Sequence, residues 1–261
     1  MDILFYIIAG AAVGFAVGLT GVGGGSLMTP ILLLFGFPPQ VAVGTDLLYA
    51  SITKSGGVLL HRRQGTIRWR IVLTLFLGSI PSSLVTVYFL DNVFADSEAY
   101  AGVLTSCLGV MLILTATVLL FKSRLVSGRS VKEPPRVLRA IQQKATIYTW
   151  IMGVALGVLV TLSSVGAGAF GAAILLILYP RLSSINIIGT DLAHAVPLTL
   201  VAGIGHLFLG NVDFSLLGSL LIGSLPAIYV GTKLGNHMPD NIMQPILAST
   251  LLALGVKYAF F

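Results

Sequence analysis

Three charged residues stand out because they interrupt apolar sequence far from any obvious loop. Asp46 and Asp191 each follow a Gly-Thr pair, in Gly44-Thr45-Asp46-Leu47 and Gly189-Thr190-Asp191-Leu192, and Lys54 lies eight residues beyond the first pair. A carboxylate inside a membrane is costly and is a candidate proton or cation relay, whereas an amine there can meet an anion. Eight residues place Lys54 about 80° around a helix from Asp46, so a pairing is feasible but not aligned. His194 lies three residues after Asp191, on the same helical face, and an Asp–His pair can relay protons near neutral pH. Each residue also has a structural explanation. Thr45 and Thr190 can cap a helix, with the aspartates favourable in its first turn. Lys54 can snorkel to the surface, and His194 can be a satisfied interior histidine.

The second group of candidates is glycine-rich. Gly23-Gly24-Gly25-Ser26 and Ser163-Ser164-Val165-Gly166-Ala167-Gly168 each precede an apolar segment, beginning near Leu27 and Ala169. A helix that starts there offers free N–H donors and a partial positive charge to an anion, and glycine lets the backbone approach it. Alternatively, these glycines merely permit tight helix packing. Thr45, Thr190 and Lys54 supply further candidate donors. No metal site or cofactor motif is expected: the lone Cys107 lies in apolar sequence.

These residues recur at a near-constant spacing. Val22-Gly23-x-Gly25 returns 143 residues later as Val165-Gly166-x-Gly168. An offset of 145 carries Gly44-Thr45-Asp46-Leu47 onto its copy, His61 onto His206, Gly65 onto Gly210 and Gly78-Ser79-x-Pro81 onto Gly223-Ser224-x-Pro226. Duplicated hydrophobic halves, each with a glycine-rich interruption, point to a secondary transporter.

Composition sets the medium. Of 261 residues, 56% are hydrophobic and 9% charged, against about 25% charged in a soluble domain. The expected fold is an all-α polytopic membrane protein with two inverted repeats, each a broken-helix hairpin plus three spanning helices. The repeats cover 1–121 and 145–261, joined by a basic connector, 122–144, in which Pro134-Pro135 stops any helix. Apolar stretches fall at about 3–36, 41–60, 69–90, 99–121, 146–180, 185–207, 213–235 and 242–261. The first would make a helix of about 50 Å, against a hydrocarbon core of about 30 Å. A hairpin returning to its side of entry resolves the excess there and in 146–180. Its non-helical break must then be buried in protein or line a cavity.

Charge orients the spans. Arg62, Arg63, Arg68 and Arg70 in one loop, and the basic connector, are expected on the cytoplasmic side. Asp91, Asp96 and Glu98 mark an outer loop. With both hairpins re-entrant, 13 of the 15 Lys and Arg fall inside, the halves are inverted and both termini lie outside, in a bacterial inner membrane. His61 and His206 are then interfacial, and Pro81 and Pro226 kink their helices. The N-terminal stretch lacks a basic n-region and reads as retained. The net charge of +6 follows from loop placement and gives no reason to invoke nucleic acid.

Gly21-Val22-Gly23-Gly24-Gly25 with Pro30, followed by Pro38-Pro39-x-Val41-Ala42-Val43-Gly44-Thr45, resembles the TauE/SafE family of sulfite exporters. So does the weaker copy Ser164-Val165-Gly166-Ala167-Gly168 with Ile188-Gly189-Thr190, and the likeness spans nearly the whole chain. The resemblance implies an integral membrane transporter of small sulfur-containing anions such as sulfite, sulfonates or sulfoacetate. It assigns no residue a role. Many relatives carry a small hydroxyl residue after Gly-Thr, where both halves here carry Asp. That departure favours proton coupling, with sodium the other candidate ion for the same carboxylates. The partners expected are thus a small anion, a coupling ion and the lipid bilayer. An anion channel of the same architecture is the alternative. A Ser163/Ser164–His194–Asp191 hydrolase is set aside, because Asp and His one turn apart leave the imidazole no orientation towards serine.

Overall fold

In the computed structural model, which describes residues 3–20, 27–93, 97–127, 136–235 and 240–260, the regular secondary structure is entirely helical. The first half comprises α1 (Ile3–Thr20), α2 (Met28–Leu34), α3 (Pro39–Arg63), α4 (Trp69–Val93) and α5 (Ser97–Ser127). A short α6 (Arg136–Gln143) joins it to α7 (Ala145–Ser163), α8 (Ala169–Leu178), α9 (Ser184–Phe208), α10 (Phe214–Gly235) and α11 (Asp240–Phe260). The connector is thus more ordered than its composition suggests: α5 runs past residue 121, and helix resumes directly after Pro135. By length and apolar composition α4, α5, α7, α9 and α10 can each cross a membrane.

Both long apolar stretches break and fold back. In the second, Thr149 near the start of α7 shares a hydrogen bond of 2.8 Å with the Tyr179 hydroxyl just past α8. In the first, the rings of Phe5 and Phe35 meet at a tilt with centroids 4.7 Å apart, and those of Tyr6 and Phe37 likewise at 5.5 Å. The turn of the second hairpin is made by Ser164 at φ +58°, Gly166 at +125° and Gly168 at +141°, a left-handed run that glycine enters most cheaply. The equivalent turn, with Gly23, Gly24, Gly25 and Ser26, lies outside the described residues.

The halves interlock instead of sitting side by side. α1 packs along α10 and α4 along α7, and each first helix thereby leans on the other half's fourth. Small residues let these pairs close: a Cβ on Gly10, Gly14 or Gly18 would run into the α10 backbone, and one on Gly153 or Gly157 into α4. α3 and α9 pair antiparallel, Gly44 lying against Asn211 and Gly189 against His61. Their ends are tied by matched bonds. The Arg68 backbone N–H donates to the Thr190 hydroxyl at 3.0 Å, and the Asp213 N–H donates to the Thr45 hydroxyl at 3.2 Å. The 145-residue offset converts one of these bonds into the other. Pro81 and Pro226 sit inside α4 and α10, which continue through them.

Candidate functional site

α3 and α9 carry the charged residues to the second break. Each helix starts at the end of a short loop, so Asp46 and Asp191 lie about two turns inside it. Neither is a first-turn residue. Asp46 is 0% exposed, Asp191 2% and Lys54 5%.

The two carboxylates meet the start of a short helix from their own half. Asp46 Oδ2 accepts from the Thr29 backbone N–H at 3.2 Å and from the Thr29 hydroxyl, at the head of α2. Asp191 lies against α8, with its Oδ1 close to Gly171 in the first turn of that helix. Gly171 makes room for it, since a Cβ there would collide with Asp191 Oδ1. The partial positive charge of a helix start stabilises a carboxylate so placed. The helix starts expected to receive an anion are therefore already faced by anions of the protein.

Lys54 does not snorkel. It reaches from α3 into the other half, and its ammonium donates to the Ala167 carbonyl within the break at 3.2 Å. Ser164, also in the break, faces Asp46. Asp46 Oδ1, Asp191 Oδ1 and Ser164 Oγ are nonetheless buried without a well-formed hydrogen bond. Unmet polar atoms of this kind are costly, which makes this break the candidate site.

The remaining expected residues divide. Ser163 is occupied locally, donating to the Leu159 carbonyl at 2.6 Å and accepting from the Val165 N–H at 3.2 Å. Thr45 and Thr190 spend their hydroxyls on the loops after α9 and α3. Gly166 and Gly168 shape the turn. His194 is fully buried, but its Nε2 pairs with the Ser79 hydroxyl of α4 at 2.8 Å, and its Nδ1 has no partner. Under the 145-residue offset that pair becomes Tyr49 and Ser224, whose hydroxyls are both buried without a hydrogen bond. His206, expected at the interface, is instead fully buried, with Nε2 bonded to the Thr161 carbonyl at 2.9 Å. Its span end is covered because α9 lies inside the bundle; His61 stays partly exposed. Thr29 and the Ala167 carbonyl were not marked by sequence. A hydroxyl residue just inside the short helix was the available signal for Thr29.

A buried amine, two buried carboxylates and a broken helix are what a carrier of small ions requires. The model of the family described as "Sulfite exporter TauE/SafE" matches residues 6–258. The chain belongs to the TauE/SafE family. Among its TauE/SafE relatives, "Probable membrane transporter protein YjnA" of Bacillus subtilis (strain 168) is 38% identical over 251 residues, covering 96% of this chain and 97% of that protein. "Probable membrane transporter protein YdhB" of the same strain is 28% identical over 250 residues, 95% of this chain and 96% of its own. A protein of the same description from Methanocaldococcus jannaschii is 28% identical over 271 residues, 96% and 92% of the two chains. No solved structure matches. As a TauE/SafE protein the chain is an integral membrane transporter.

Proposed function

We propose that this TauE/SafE protein is a secondary transporter that moves a small sulfur-containing anion, a sulfite, sulfonate or sulfoacetate, together with protons by alternating access. The observation that carries this reading is the burial of Lys54, Asp46 and Asp191 together with the Ser164–Gly168 break, where Lys54 bonds the Ala167 carbonyl and Asp191 lies against Gly171. With all three ionised the buried cluster carries one net negative charge, and an arriving anion would make it two. In a low-dielectric interior that is prohibitive. Protonating the aspartates resolves it in two ways. It leaves Lys54 to balance the substrate, and it weakens each carboxyl group's hold on its helix start, releasing N–H donors for the anion. Substrate and protons then travel together because each makes room for the other.

The transport cycle we infer rocks one hairpin-bearing half against the other, with the halves inverted across the membrane. The Arg-rich ends lie in the cytoplasm and both termini outside, which agrees with 13 of 15 basic residues falling inside.

Flux of labelled sulfite and of a small sulfonate into proteoliposomes, with and without an imposed pH gradient, tests the proposal. Saturable uptake that follows the gradient, and stops following it in Asp46→Asn and Asp191→Asn, is the expected result. Gradient dependence preserved in both variants would remove the carboxylates from the coupling. Uptake that requires sodium and ignores pH would replace the proton. Flux that does not saturate would make the protein a channel.

A further inference from the structure

Away from the charged cluster, a cleft of about 590 Å³ opens where α4 and α7 begin and α8 ends. Arg68, Arg70 and Arg181 line its rim, and Ile71, Leu178 and Leu182 its apolar wall. All three arginines are exposed. Among the described residues that line the cleft, none is acidic. Arg68 lies beside the Asn186 carboxamide, whose oxygen, in the orientation that satisfies its neighbours, accepts from the guanidinium at 3.0 Å. That partner is neutral and leaves the arginine charge uncompensated. α4 and α7 both begin beside the cleft, which Arg70, Ile71 and Ala145 of their first turns line.

The position selects the ligand. Trp69, Trp150 and Tyr148 are exposed at this end of α4 and α7, as aromatic side chains are at the level of lipid headgroups. α6, which ends at the cleft, alternates Arg136, Arg139 and Gln142 with Val137, Leu138 and Ile141 in sequence, the pattern of a helix lying in the interface plane. A free anion has no use for an apolar wall, and an uncharged lipid has none for three arginines.

We propose that this cleft is a binding site for an anionic phospholipid, with the headgroup phosphate held by Arg68, Arg70 and Arg181 and the start of an acyl chain lying along Ile71, Leu178 and Leu182. Basic pockets between membrane helices hold such headgroups by charge and by the apolar chain together. A bound lipid would join α4 of one half to the α7–α8 hairpin of the other, at the end where α6 enters.

The test is the unfolding temperature of the purified full chain in a neutral detergent, titrated with phosphatidylglycerol, with phosphatidylcholine, or with inorganic phosphate. Phosphatidylglycerol should raise it at a low mole fraction, and the other two should not. Replacing all three arginines by glutamine should weaken the apparent affinity for phosphatidylglycerol about a hundredfold, roughly fivefold for each arginine removed. Replacing them by lysine, which keeps the charge, should preserve most of it and shows that the cleft still folds. An equal response to phosphatidylcholine, or an undiminished response in the glutamine variant, would overturn the proposal. Stabilisation by phosphate alone would make the cleft a plain anion site and overturn the lipid assignment.

Discussion

Asp46 and Asp191 occupy equivalent positions in the two halves, yet the chain holds them by different means. Asp46 is gripped by a side chain, the Thr29 hydroxyl, with the backbone N–H of the same residue. Asp191 instead occupies a space kept open by Gly171, and its Oδ1 has no hydrogen-bond partner. Lys54, which has Thr199 as its counterpart in the other half, reaches the break in the half that carries Asp191. The two halves match in the bounds of α3 and α9 and differ in the chemistry around their aspartates. A transporter that is symmetric in its scaffold but not in its charges can give its two acids separate duties: one coupled to the amine, the other to a hydroxyl.

The largest effect expected from breaking this asymmetry is at Lys54. Lys54→Met leaves two buried carboxylates without a compensating cation and should cost about 3–5 kcal/mol. It should be read as a fall in unfolding midpoint in detergent, with loss of flux. Adding Asp191→Asn to the same chain should recover most of the stability, and adding Asp46→Asn should recover less. Equal rescue by both would mean the amine does not distinguish them. Next comes Gly171→Ala, whose methyl group would displace the Asp191 carboxylate. It should cost about 1–3 kcal/mol as an overpacked site and abolish gradient-driven uptake. A wild-type midpoint would show that the space is not needed. Thr29→Val removes the hydroxyl from Asp46 and should cost about 1.5–3 kcal/mol, as for a hydrogen bond to a charged group, leaving the Lys54–Asp191 rescue unchanged. A change in that rescue would couple the two acids directly. Smallest is Ser79→Ala, which should cost about 1 kcal/mol by leaving His194 Nε2 unpaired. A shifted pH dependence of uptake would support the expected part of His194 in proton coupling, and an unchanged one would confine it to packing against α4.

The sequence disclosed the scaffold because scaffold features lie along the chain. Two apolar stretches too long for a bilayer, each cut by glycine, require hairpins, and both fold back as expected. The 145-residue offset carries the bounds of α3, Pro39–Arg63, onto those of α9, Ser184–Phe208, without a residue to spare. Contacts that cross between halves were not legible. Nothing in the local pattern around Thr45 or Thr190 reveals that its hydroxyl serves a loop of the other repeat. The same holds for His194 with Ser79 and His206 with Thr161, where each partner lies on a helix chosen by interlocking. Lys54 was marked by its charge alone, and only the fold shows that it reaches the break of the second half.

The pairing of α1 with α10 has a consequence for how the protein is made. Gly10, Gly14 and Gly18 shape α1 for a partner around Leu220, Ser224 and Ile228. At ordinary synthesis rates that partner leaves the ribosome roughly 10–40 s later. Throughout that interval the first hairpin waits in the membrane with its closest-packing face uncovered, and the buried carboxylate of α3 waits with it. Biogenesis is therefore a period of exposure that ends only when the second half arrives. A first half expressed alone should be degraded, and supplying the second half as a separate chain should rescue it.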